Sequence, residues 1–298
     1  RPHMSLLLQR LAWDLRSELR TRIVAGLEEE EAGAILIRGL VLGDRSEGAE
    51  FYGAFRKSGT MHIFAVSGLH VGLVGALAWM LMRFFRMPRG WGLWAVFVIM
   101  WGYALVTGLR PPAVRAAFMA SVFLVGFAVR RQPSLPNSLL ASLPAVLLMD
   151  SYQLGQVGLQ LSYVVVGMII LATPFFSSRL QAVTEGDPFL PRLLYTRGQR
   201  WSLAVRKYVA GLLVVSLAAW LGSMPLIGYH FGIVTPAAVL ASMLLVPLVF
   251  LILSVALVGV VIGMVAEPLQ VGANRCNALL AEGAYRIAQE VTEIPGSH

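Results

Sequence analysis

The sequence predicts an all-α, polytopic membrane bundle of about eight membrane segments, some short or interrupted, with flanking amphipathic helices. Composition is the first observation: 57% of the 298 residues are hydrophobic and 13% are charged, against about 25% charged in a soluble domain. Mean hydropathy is +0.71, so the apolar content exceeds what one water-soluble core would bury. The second observation is that the apolar residues come in long blocks, the pattern of membrane helices. The third is that basic residues fall in alternate connections between those blocks.

Taken in order, Arg1–His3 read as an added tail ahead of Met4, and the terminal Gly-Ser-His as another. No cleavable signal peptide is visible, because the first apolar block is short and interleaved with charges. In residues 5–27, Leu7, Leu8, Leu11, Leu15 and Leu19 recur at helical spacing opposite Arg10, Asp14, Arg16, Glu18, Arg20 and Arg22. That pattern predicts an amphipathic helix on the membrane surface or on the protein itself. An acidic run over 28–31 and a short apolar helix over 32–43 follow, completing an interfacial region over 4–60. Spans are predicted at 62–83, 91–109, 112–129, 136–149, 155–176, 208–228, 232–248 and 249–266, which makes 61–266 the membrane domain. Pro247 is expected to break the last two apart. Residues 267–295 predict a second amphipathic helix, with Leu269, Leu279, Leu280, Tyr285 and Ile287 as its apolar members.

Arginine dominates the charge: Lys57 and Lys207 are the two lysines among 24 basic residues, set against 16 acidic ones. Arg83, Arg86 and Arg89 follow the first span, Arg130 and Arg131 the third, and Arg179, Arg192, Arg197, Arg200, Arg206 and Lys207 the fifth. The even connections hold Arg110, Asp150 and no charge. Basic loops stay on the cytoplasmic side, so both termini are expected to face outward. The single Cys276 excludes an intramolecular disulfide and a multi-cysteine metal site.

Polar interruptions of the spans are the candidate functional residues. In GTMHIFAVSGLHVG, His62, Ser67 and His70 sit in an otherwise apolar stretch, with Gly68 and Gly72 as a small-residue step. His62 and His70 are expected two turns apart on one side of a helix. The glycines either admit a neighbouring helix, with the histidines bonding across it, or leave a polar line toward water. In GLRPPAVRAAFMAS, Pro111 and Pro112 suit a helix start. Arg115 then either snorkels to the outer interface or lines a polar cavity. Gln160, in GQVGLQLSYVVVG, has inter-helix bonding as its usual reason. Pro225, His230, Pro236 and Pro247 interrupt residues 223–247, as in a transport pathway or a kinked helix pair. The spacing matches no metal site, no acid–base pair or triad lies within the spans, and no phosphate-binding loop is present. The chain is therefore expected to be neither an enzyme nor a cofactor protein.

At these motifs the sequence resembles the ComEC family. GTMHIFAVSGLHVGLV is the most specific stretch, and GLRPPAVRAAFMAS, LGQVGLQLSYVVVG and SMPLIGYHFGIVTPAAVLASMLLVPLV follow in the family's order. Ser242 stands where that resemblance leads one to expect Asn. The resemblance implies the membrane competence domain, an inner-membrane channel for single-stranded DNA in natural transformation. It also implies DNA-receptor and cytoplasmic translocation partners, with an OB-like and a nuclease-like domain outside this stretch. His62, Ser67, His70, Arg115, Gln160 and His230 would then line the path, and Tyr103, Tyr163, Tyr229 and Phe231 could stack on bases. A small-molecule or ion transporter, or a membrane anchor for soluble domains, are the alternatives.

Overall fold

The computed structural model describes residues 6–28, 31–186, 194–232 and 234–293. Among them every regular element is a helix. They are α1 (Leu6–Arg22), α2 (Ala32–Leu42), α3 (Ala49–Lys57), α4 (Gly68–Phe84), α5 (Arg89–Val106), α6 (Pro111–Ala128), α7 (Leu135–Met149), α8 (Val157–Arg179), α9 (Gln181–Thr184), α10 (Arg197–Phe231), α11 (Ala238–Gly263) and α12 (Glu267–Thr292). Five of these, α5, α6, α8, α10 and α11, are long and apolar enough to cross a membrane, and α2, α4 and α7 are shorter apolar helices. The chain is a membrane protein. The predicted residues Arg1–His3, Arg192 and the terminal Gly-Ser-His lie outside the described residues, as does most of the acidic run's centre.

The two spans expected at 232–248 and 249–266 are one helix, α11, with Pro247 inside it. Continuing through a proline sacrifices one backbone bond, whereas ending there would leave four carbonyls and four amides without partners in an apolar surrounding. Pro225 likewise sits within α10 without ending it. Pro236 does mark an end, in the 232–237 connection between α10 and α11. Pro111 and Pro112 occupy the first turn of α6 as expected. At 35 residues, α10 is also much longer than predicted. It extends to about 52 Å, well past a hydrocarbon layer of about 30 Å. A capping box of Thr196 and Gln199 starts it, and Arg197, Arg200, Arg206 and Lys207 occupy the added turns.

The helix expected first, 62–83, begins six residues late. Met61–Phe64 form a short 3-10 turn and α4 starts at Gly68, with Ser67 as N-cap. His62 and His70 therefore do not share one helix. Consecutive helices pair antiparallel. Gly222 of α10 lies against Met168 and Val165 of α8, where an added Cβ would come 2.8 Å from Met168 Cβ. Gly75 of α4 makes room for Met100 of α5. Helix α12 turns back along α11, Gly263 meeting Gln270 and Gly259 lying near Ala273. Its buried face is Gln270, Asn274, Asn277, Ala278, Ala281, Ala284 and Ala288. Leu269 and Leu279 are instead exposed, at 63% and 69%. Leu280, Tyr285 and Ile287 do pack on the core, beside a stripe of alanines that lets helix backbones approach closely. On α1, Leu11 and Leu15 also remain substantially exposed.

This pairing sets two ends. The α5–α6 turn, the start of α8, the end of α10 and the start of α11 lie at one end, tied by Arg115 to Gly158 and by Trp220 to Thr235. The α4–α5, α6–α7 and α8–α10 connections, with their arginines, lie at the other.

Candidate functional site

Helix α2 is the element on which the site is built. Its sequence AGAILIRGLVL is apolar, and residues 33–42 are all buried. Eleven residues reach only about 16 Å, half the hydrocarbon thickness, so its C-terminal carbonyls end inside the protein. Such acceptors need donors when water is excluded. Three side chains from three different helices or turns supply them. His70 Nε2 donates to Leu40 O at 2.9 Å, Tyr103 Oη to Val41 O at 2.7 Å, and Arg110 Nη2 to Gly43 O at 2.6 Å. Gly43 itself takes a left-handed φ of 65°, the usual glycine conformation just past a helix end.

His70 is 1% exposed and fully occupied. Its Nε2 must carry the proton to bond a carbonyl, so Nδ1 accepts, from the Ser67 amide at 3.3 Å and the Ser67 hydroxyl at 3.1 Å. Ser67 and His70 thereby close the N-terminal capping box of α4. Of the two alternatives for His70, the geometry matches bonding across a helix interface: the side chain locks α2 to α4. Gly72 has open space where a Cβ would stand, and Gly68 makes only an ordinary contact with Ala116. The close approach falls at Gly75 instead.

Around this helix end a charged cluster gathers. Arg20 Nη2 meets Glu47 at 2.9 Å and Arg20 Nε lies 3.6 Å from Asp44, while Arg38 Nη1 meets Glu47 at 3.3 Å. The Arg16 guanidinium lies beside Gly108, and Arg45 is exposed. Burial works against the Asp44 carboxylate, but the Ser46 hydroxyl and amide and the charges of Arg20 and Arg16 outweigh it and hold its pKa below the usual value. Burial, then the charges of Arg16 and Arg45, lower the pKa of Arg110. Tyr52, which donates to Asp44 O, is pushed up to about 12 by its burial. Five arginines thus meet two carboxylates at the mouth formed by α1, α2, α3 and the α5–α6 turn.

A second polar group lies between α6, α7 and α8. Arg115 is 3% exposed and donates through Nη2 to Gly158 O at 2.9 Å. It does not snorkel. Ser142 and Tyr163 share a hydrogen bond of 3.0 Å across α7 and α8. Gln160 bonds within its own segment, to Leu154 O. His230 is exposed in the last turn of α10, edge-on to Tyr229 at 5.0 Å. His62 is exposed and bonds Gly59 O. The structure therefore joins Ser67 with His70, and leaves His62, Arg115, Gln160 and His230 apart.

Sequence reading missed Tyr103 and Arg110 as partners of α2, although a lone hydroxyl in an apolar span is a signal that it bonds something. It also missed Gln270 and Asn274, whose amides donate to Arg22 O and fix the end of α1 against α12.

A sequence model of the family described as "Competence protein" matches residues 40–298, from the carbonyl that His70 holds onward. This chain belongs to the competence protein family. It is 30% identical to ComE operon protein 3 of Bacillus subtilis (strain 168) over 229 residues, 76% of this chain and 26% of that protein. It is 31% identical to Competence protein ComA of Neisseria gonorrhoeae over 229 residues, 70% of this chain and 30% of that one. An uncharacterised Escherichia coli (strain K12) protein, YcaI, is 30% identical over 172 residues, 54% of this chain. The competence-family chain thus spans less than a third of the length of these relatives. No solved structure matches it.

Proposed function

We propose that this chain is the membrane portion of a channel that passes a single DNA strand across the bacterial inner membrane during competence. The observation that carries the reading is the arginine cluster at the buried end of α2. A strand brings one phosphate per nucleotide, and passage needs donors and positive potential where the hydrocarbon would otherwise repel it. Arg16, Arg20, Arg38, Arg45 and Arg110 gather that positive charge at the end of the bundle where α2 stops, beside the α5–α6 turn. A helix end buried in protein and held by side-chain donors is a feature of transport pathways. Family membership supports the same reading.

The chain provides a route and does no chemistry. DNA is delivered by a receptor on the outer side and drawn inward by a cytoplasmic translocation protein, with the OB-like and nuclease-like domains of longer family members at either side. The arginine-rich connections face the cytoplasm and both termini face outward. One long helix in place of two short spans removes a crossing, so an outward C-terminus requires α12, which turns back along α11, to carry the chain across again.

Reconstitution tests the proposal. Vesicles holding the purified chain are expected to take up a fluorescent single-stranded oligonucleotide into a nuclease-protected lumen, and to exclude the duplex. Uptake no greater than in protein-free vesicles, from correctly folded protein driven by a strand-pulling partner in the lumen, would sink it.

A further inference from the structure

At the arginine-rich end, away from the α2 site, a cavity of about 1120 Å³ opens between α5 and α6. Its walls are apolar: Trp94 and Phe97 from α5, and Leu124 and Val125 from α6. Ser121, which also lines it, accepts a hydrogen bond of 3.0 Å from the Trp101 indole and so ties α5 to α6. Across the top, Arg89 lies over the Phe127 ring at 5.5 Å and ties the start of α5 to the end of α6. Arg89, Arg130 and Arg131 rim the mouth, all exposed. A smaller cavity of about 140 Å³ lies on the other side of Arg89, beside Arg83.

Two features shape the positive rim. Helix α5 begins at Arg89 without any side-chain cap on its first turn, so its unbonded amides and positive dipole end add to the arginines. Arg130 stands at the residue after the C-cap of α6, with φ 56°. It completes the pair of bonds that usually calls for glycine there, its amide to Phe127 O and the Arg131 amide to Gly126 O. Arg86 and Leu109 share this left-handed conformation, which turns the chain at these helix ends and here holds Arg130 beside Arg131. Long apolar walls under a three-arginine rim match one ligand chemistry, two acyl chains under an anionic headgroup.

We propose that this groove binds an anionic phospholipid, its phosphate among Arg89, Arg130, Arg131 and the first turn of α5, and its chains along Trp94, Phe97, Leu124 and Val125. The groove is too apolar to be read as a seat for a nucleic-acid strand, and a free phosphate would leave its walls unused. Bound lipid would brace α5, whose other face carries Tyr103, the donor to α2.

The test uses the purified full chain in vesicles containing a photoreactive phosphatidylglycerol, with the matching phosphatidylcholine as comparison. Labelling is expected on residues 89–97 and 121–133, with phosphatidylglycerol favoured. Each arginine near an anionic group is worth about a factor of five, so Arg130→Gln with Arg131→Gln is expected to lower labelling about 25-fold while the helices stay folded. Leu124→Trp keeps the charge and fills the cavity, and is expected to lower labelling as well. Equal labelling by phosphatidylcholine, or labelling unchanged in both variants, would overturn the proposal. Displacement by millimolar inorganic phosphate would reduce the groove to a simple anion site, and displacement by a single-stranded oligonucleotide would assign it to the strand. Either result also overturns it.

Discussion

His70, Tyr103 and Arg110 act as one device, because each supplies a donor that the last turn of α2 lacks. Removing one leaves a carbonyl stranded away from water, at a cost of roughly 1–3 kcal/mol. His70→Leu and Tyr103→Phe are each expected to lower unfolding stability by about that amount in detergent, measured by denaturant titration. Unchanged stability in both would mean that water reaches the helix end. Asp44 makes a pH prediction. Its folded pKa lies below the usual carboxylate value of 3.8, so its contribution is present above that value and lost as pH falls through the folded one. The stability difference between the parent and Asp44→Asn should therefore shrink as pH falls below about 4, and a difference that stayed constant would contradict the assignment.

Among the elements, the seams are decided by where a backbone can come close. Gly222 faces Val165 Cα and Met168 Cβ across α8 and α10, so a side chain there meets backbone that cannot yield. Gly222→Leu is expected to destabilise by about 1–3 kcal/mol or more. Gly72 faces open space, so Gly72→Ala should be neutral, or stabilising by up to about 1 kcal/mol. Thermal unfolding of the two variants separates the glycines, and equal losses would place a hidden partner at Gly72. Helix α12 follows the same rule: Ala278 closes on Gly33 of α2 and Ala273 lies near Gly259 of α11, while Leu269 and Leu279 are left on the surface.

For the whole molecule, the two ends carry different electrostatic work. One holds the arginine cluster with its two carboxylates; the other holds Arg83, Arg86, Arg89, Arg130, Arg131, Arg179 and Arg197 on successive connections. In a Cys276→Ser background, Thr184→Cys is expected to react with an impermeant thiol reagent from the cytoplasmic side alone, and labelling from outside would reverse the orientation. Arg45 is exposed at the proposed mouth, so Arg45→Glu should spare the fold. With two charges changed, it should lower strand passage about tenfold or more and flatten its salt dependence. Passage at the parental rate would remove the cluster from the route.

Composition and periodicity alone determined that the chain is a helical membrane protein, which blocks are helices, and which connections carry the arginines. Those properties are local: twenty apolar residues in a row, or a Pro-Pro helix start at Pro111, mean the same in any surroundings. The resemblance at 59–72 also pointed to the right family from a short stretch. Tertiary structure decided whether Pro247 divides a helix, whether His70 meets water or Leu40, and which face of α12 is buried. In each case the competing conformations differ in partners far along the chain, such as Arg22 for Asn274 or Gly43 for Arg110. A buried donor is satisfied by whatever the fold brings within 3 Å, and residue spacing carries no record of that distance.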